Sequence, residues 1–74
     1  MFSVLITKDR EPRSFRFQLR PAESSTPLAI SRAQASPSAA RREAERLFGL
    51  LAWEDPSETE KDYILEIAHV ELAR

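Results

Sequence analysis

Hydrophobic and polar positions alternate most regularly in SFRFQLRP, residues 14–21. Phe15, Phe17 and Leu19 fall on one side of an extended chain; Ser14, Arg16, Gln18 and Arg20 fall on the other. That period of two is the signature of a half-buried strand. The segment FSVLIT, residues 2–7, is apolar and β-branched enough to read as a second strand. Its Phe2, Val4 and Ile6 share one face, and Ser3, Leu5 and Thr7 the other. Leu5 on the mixed face implies partial cover on both sides, as for a central strand or a subunit contact. Between the two, KDREPR is polar, and Pro12 denies a backbone donor. It lacks an Asn-Gly or Asp-Gly pair, so the hairpin connection is longer than a tight two-residue turn. Pro21 closes the strand, AESSTP forms a polar loop, and LAIS at 28–31 reads as a short third strand.

The period then changes. ASPSAARREAERLFGLLA places Ala40, Ala44, Leu47 and Leu51 on one helical stripe, with Phe48 beside it. Ser36 is an N-cap candidate and Pro37 suits the first helical position. The small residues of the stripe allow this helix, predicted over 37–52, to sit close on a sheet. Gly49, the only glycine, either ends the helix or interrupts it. After WEDP, Asp55 and Glu58 have capping-box spacing with Pro56 between them. A second helix is predicted over 56–73, its apolar face made of Tyr63, Ile64, Ile67, Ala68 and Val70 and widened by Leu65 and Leu72. That face is wider than one packing partner requires, which points to a second contact. The predicted fold is a single α+β domain over 1–74, ordered β-β-β-α-α: a small three-stranded antiparallel sheet packed by one helix, plus a C-terminal helix.

Composition narrows the chemistry. With 74 residues the chain is one small domain, and its core is limited. It has no cysteine, which excludes disulfides and thiolate metal sites, and one histidine, which excludes a multi-histidine metal centre. No apolar run approaches the roughly 20 residues of a membrane span. MFSVLITKDR has no basic n-region or small-residue cleavage site, so a cytoplasmic protein without a secretory signal is expected. His69 has no nucleophile or partner acid at a telling spacing, and carboxylate pairs such as Glu43/Glu45 face different directions on a helix. A single glycine rules out a phosphate-cradling glycine loop. The expectation is therefore a non-enzymatic protein, with no cofactor, metal or small-molecule substrate.

The net charge of −1 hides an asymmetry. Residues 1–49 carry nine Lys/Arg and five Asp/Glu, a net of +4; residues 50–74 carry two and seven, a net of −5. Such halves attract each other, within one chain or between two. The strand face of Arg16 and Arg20 is expected to meet carboxylates of a protein surface, with the acidic last helix as the other half of the charge pair. Trp53, beside an acidic cluster, either plugs the end of the core or anchors an interface. The partner-binding candidates are Arg13, Arg16, Arg20, Trp53, Tyr63, Ile64 and Ile67. They describe a protein–protein interaction module, a homodimer or an accessory modulator or inhibitor of a larger machine. The alternative is nucleic-acid binding through the arginine face. Against it, Phe15 and Phe17 point away from that face and cannot stack on bases.

The residues Phe2, Lys8, Asp9, Phe15, Arg16, Phe17, Leu19, Ile30, Ser36, Ala39 and Ala40 occur in an ordered series. A strand ending in Lys-Asp leads through a turn to an aromatic-Arg-aromatic strand, a short third strand and an Ala-rich helix opened by Ser. Over residues 2–48 this resembles the YegP-like family of small β-β-β-α units. The resemblance implies that two such units pair, as tandem copies or as a dimer. It implies no chemistry.

Overall fold

A computed structural model describes residues 1–56 and 64–71. The strands are β1 (Phe2–Lys8), β2 (Phe15–Pro21), β3 (Ala29–Ile30), β4 (Ala52–Glu54) and β5 (Ile64–Val70), and the helix is α1 (Pro37–Phe48). They form one five-stranded sheet in the order β3-β2-β1-β5-β4, in which every neighbouring pair is antiparallel. The helix covers one face. The expected three-stranded sheet with two helices is therefore corrected to five strands and one helix, with the order β-β-β-α-β-β among the described residues.

The first half forms as its pattern dictates. The β1–β2 hairpin runs in register from Phe2↔Pro21 to Lys8↔Phe15. Its connection carries Arg13 at φ 57°, a left-handed residue in the turn. The Asp9 amide donates to the Ser14 carbonyl at 2.9 Å. After β3 the chain keeps following β2, since Phe15 and Gln34 exchange both backbone bonds at 2.7 and 2.9 Å. The Ser36 hydroxyl accepts from the Ala39 amide at 3.1 Å and caps α1, with Pro37 at its start. Removing such a cap costs about 1 kcal/mol.

The helix ends earlier than 52. Gly49, at φ 81° and ψ −157°, closes it, and its amide donates to the Glu45 carbonyl at 2.7 Å. That conformation is essentially restricted to glycine. Gly49 is thus a terminator and not an interruption. The chain then turns back as β4 at the edge farthest from β3, and β5 inserts between β4 and β1.

The second helix predicted over 56–73 is replaced, over Ile64–Val70, by a strand, and residues 57–63 lie outside the described residues. Two features of the segment mimic a helix. First, β5 is an inner strand, so both of its faces carry apolar side chains, and that reads as an over-wide helical stripe. Second, the β1–β5 register shifts between Ile6, opposite Glu66, and Thr7, opposite Ile64, so Leu65 is an extra residue. This bulge puts Ile64 and Ile67 on one face at a spacing of three, which in a regular strand would place them on opposite faces. The β-branched Ile64, Ile67 and Val70 carry the competing β preference.

The core lies between the sheet and α1. It comprises Val4, Ile6, Phe17, Leu19, Ala40, Ala44, Leu51, Ala68 and Val70, with Phe2, Phe15, Phe48, Trp53 and Leu65 packed at its margin. Ala40 and Ala44 are completely buried, so the helix does approach closely through small residues. Phe48 meets Phe17 edge-on, with centroids 5.7 Å apart.

Candidate interaction surface

The strand registers lay out the face that α1 does not cover. Three rows cross it. One runs Arg20, Ser3, His69, Ala52; the next Ile30, Gln18, Leu5, Ile67, Glu54; the third Arg16, Thr7, Ile64. Leu5 and Ile64 are buried yet stand outside the core cluster, because they belong to this opposite face. Leu5 on a central strand matches the partial two-sided cover expected of it. At the β2 end, the loop 21–25 rises beside the first two rows. It completes a depression of about 450 Å3 whose floor and walls include Ser3, Leu5, Arg20, Ile67, His69 and Glu54.

The polar groups in this depression are tied to one another. His69 Nε2 lies 2.9 Å from Glu54 Oε2, joining β5 to β4. Its Nδ1 lies 3.4 Å from Ser3 Oγ, joining β5 to β1. A ring proton on Nε2 serves Glu54 and leaves Nδ1 to accept from the Ser3 hydroxyl. Arg20 donates from Nε at 3.2 Å and from Nη2 at 2.8 Å to Gln18 Oε1. The amide oxygen holds the guanidinium in place, and Nη1 has no partner among the described residues.

The arginine row therefore divides. Arg16 is consumed by its own hairpin and the segment after β3: Nε donates to Asp9 Oδ2 at 2.9 Å and Nη1 to the Ser31 carbonyl at 2.9 Å. The Ser14 hydroxyl donates to the same Asp9 oxygen at 2.6 Å. That hydroxyl first, and the Arg16 guanidinium after it, hold the Asp9 carboxyl below its ordinary range, against an opposing pull from burial. The carboxylate that meets Arg16 is thus Asp9, and among the described residues no acidic helix faces the row. Arg13 sits in the exposed turn. Arg20 alone of the three lines the depression.

The other candidates are also distributed. Ile67 and Ile64 are on the open face, Ile67 at the depression and Ile64 buried at the opposite end. Trp53 is on the helix side, in β4, where Arg41 lies over its ring at 4.7 Å and its Nε1 donates to Glu45 Oε1 at 3.2 Å. Trp53 thus packs at the margin of the core, and among the described residues the segment that follows it returns as β5. Arg41 also lies 3.8 Å from Glu66, so it links α1 to both added strands. Tyr63 lies outside the described residues. Ser3, Gln18, Glu54 and His69 are the surface residues that the helical reading missed. Reading 64–70 with a period of two would have put Ile67 and His69 on one face, matching Leu5 and Ser3 on β1.

Among the described residues no three His, Cys, Asp or Glu side chains form a metal-binding group. No helix among them is long and apolar enough to cross a membrane. Comparison of the chain with protein-family models, curated proteins and solved structures gives no match.

Proposed function

We propose that this chain is a non-enzymatic protein-binding module that docks its partner on the open face of the sheet. The observation that carries the reading is that, among the described residues, the helix covers one face of the sheet only. The helix fills one face, and the other presents Arg20, Ser3, His69 and Glu54 around a depression whose apolar part is the half-buried Ile67, with the buried Leu5 beside it on β1. A mixed apolar and charged surface of this kind suits a protein partner, with the apolar floor supplying contact area and the charges supplying register.

The chain of Ser3, His69 and Glu54 has the residue types of a hydrolytic triad, and its setting argues against that use. Acyl transfer needs free backbone donors aimed at a developing oxyanion. Ser3 is in the middle strand of the sheet, where pairing on both sides commits backbone donors to the ladder. These three residues fasten β1, β5 and β4 together and give the surface its shape. Nucleic-acid binding is disfavoured by the same face: among the described residues it offers no aromatic ring, Arg16 is already paired, and Glu54 and Glu23 stand beside Arg20.

The test is capture of partner proteins from host lysate by wild type, Arg20→Glu, Ile67→Asp and Arg42→Glu, with each variant first shown to melt cooperatively. Arg42 is exposed on the helix, away from the open face, and serves as the control. Capture lost with the first two substitutions and kept with the third supports the reading. Capture indifferent to Arg20→Glu and Ile67→Asp refutes it.

A further inference from the structure

We propose that the depression beside Arg20 captures the C-terminal carboxylate of the partner polypeptide. The inference rests on the docking reading above and adds which part of the partner is held. Its basis is an arginine with one edge unspent, a wall that stops a chain, and two carboxylates that limit the charge of the occupant.

A guanidinium carries five N–H donors in a planar fork. In Arg20, Nε and Nη2 both donate to Gln18 Oε1, at 3.2 and 2.8 Å, and this spends one edge of the fork. The next edge, Nη1 with the second proton of Nη2, bonds to nothing among the described residues. Two parallel N–H groups at that spacing match the two oxygens of one carboxylate. Gln18 is neutral, so it fixes the plane of the fork without cancelling its charge. The side chain is ordered in advance, and binding has little ordering left to do.

The wall is the loop after β2. Glu23, Ser24 and Ser25 are exposed, follow closely on Pro21 at the end of β2, and line the depression with Arg20. A backbone that reaches Arg20 from the β4 side, over Ile67, meets the fork and the wall together. A chain end fits there, whereas a chain that continues has to climb over the loop. The depression holds about 450 Å3, within the range of about 300–1,000 Å3 of ligand pockets. Its rim is accessible, since the Glu54 side chain is 60 % exposed and that of His69 33 %. The half-buried Ile67 provides the apolar contact for the last side chain of the occupant, and Leu5, 6 % exposed, adds almost nothing.

Glu54 and Glu23 set the charge. Glu54 stands on β4, with β5 and β1 between it and the strand of Arg20, and Glu23 stands on the wall. One unspent arginine beside two carboxylates admits a single negative charge and disfavours a phosphate dianion. A carboxylate oxygen also accepts from a backbone N–H. A peptide end brings such a donor together with its own carboxylate and an apolar side chain; a free small carboxylate brings only the first of the site's requirements, the negative charge.

NMR titration of the 15N-labelled chain with synthetic probes tests this. The probes are the tetrapeptide Gly-Ala-Ala-Leu as its free acid, the same peptide as its C-terminal amide, the amide of Gly-Glu-Ala-Leu, whose only carboxylate is on a side chain, and acetate. The free acid should shift the Arg20 Nε–H and the backbone amides of Ser3 and His69 in a saturable way. The other three should bind at least about tenfold more weakly, having lost the charge-assisted pair, its position at the chain end or the apolar contact. Arg20→Gln should erase the advantage of the acid, and Arg42→Glu, exposed on the helix, should keep it. The comparison of acid with amide is made on the unaltered chain, so it decides the matter even where a variant does not fold. Equal binding of the acid and any of the other three probes overturns the proposal, as does the absence of a saturable shift at Arg20 with the acid. If the probes fail while Arg20→Glu and Ile67→Asp still abolish capture of a host protein, the docking reading stands and only the chain end is refuted. If capture is also unaffected, both fall.

Discussion

Ala44→Leu should destabilise the protein, although it adds three carbons to the middle of the core. Ala44 is completely buried where α1 lies against the sheet, within the cluster that includes Val4, Ile6 and Phe17. If the larger side chain found room, burying it would contribute about 0.8 kcal/mol per carbon, roughly 2.4 kcal/mol in all. The close approach of the helix leaves no such room, and overpacking of this kind costs about 1–3 kcal/mol. The two effects have opposite signs, so the measurement decides between them. At 0.05–0.15 kcal/mol per residue the whole domain has about 4–11 kcal/mol of stability, of which a 2 kcal/mol loss is a large share. At about 4–8 °C per kcal/mol for a domain of this size, Tm should fall by about 8–16 °C. The assay is urea unfolding followed by far-ultraviolet circular dichroism, with Leu47→Ala as the control. Leu47 is on the same helix but 53 % exposed, so its truncation should cost less than about 1 kcal/mol. An Ala44→Leu midpoint equal to or above wild type, at unchanged m, would refute the claim that small residues set the distance between helix and sheet.

Three further outcomes follow from the turn, the helix end and the helix-side polar cluster. The Asp9 carboxyl should titrate below the ordinary aspartate value of about 3.9, and Ser14→Ala and Arg16→Met should each move it up, as read by NMR titration. Because its folded pKa is depressed, Asp9 supports the hairpin above the unfolded value and loses that support as pH falls through the folded value; a Ser14→Ala titration that does not move would contradict the assignment. Gly49→Ala should cost about 1–3 kcal/mol from backbone strain alone, since beyond its chain neighbours no atom lies within 4 Å of the position a Cβ would take, and a neutral result by thermal melting would mean the helix end relaxes. Trp53→Phe removes the bond to Glu45 and weakens the stacking of Arg41, for a loss of about 1 kcal/mol; a double-mutant cycle with Arg41→Met should return a coupling of about 0.5–1 kcal/mol, and a coupling of zero would show the pair to be incidental.

What could be read from the amino-acid order was whatever depended on local, regular periods. Phe15, Phe17 and Leu19 lie on the core side, Ser36 caps α1, and Ala40 and Ala44 form its contact stripe, all as their spacing implies. What could not be read was the segment where two departures from regularity coincide. An inner strand needs apolar residues on both faces, which erases alternation, and the extra residue Leu65 then imposes a spacing of three on Ile64 and Ile67. Local pattern cannot separate that combination from an amphipathic helix; only pairing with β1 does, and pairing is a property of the whole sheet.

The same mistake concealed the candidate surface. Placed on a helix, His69 points among acidic neighbours of its own segment and has nothing to do. Placed on β5, it lies opposite Ser3 and diagonal to Glu54, and it fastens three strands around the depression beside Arg20. The arginines suffer the reverse fate. Arg16 seemed equivalent to Arg20 because both lie on the outward side of β2, yet the turn brings Asp9 and Ser14 to Arg16, whereas among the described residues Arg20 bonds only to a neutral amide. A carboxylate already bound to Arg16 leaves it little to offer a partner, whereas Arg20 is held in place without being neutralised. The position with the unspent charge is therefore Arg20. A substitution there should affect association while sparing the fold, and at Arg16 the fold should respond first.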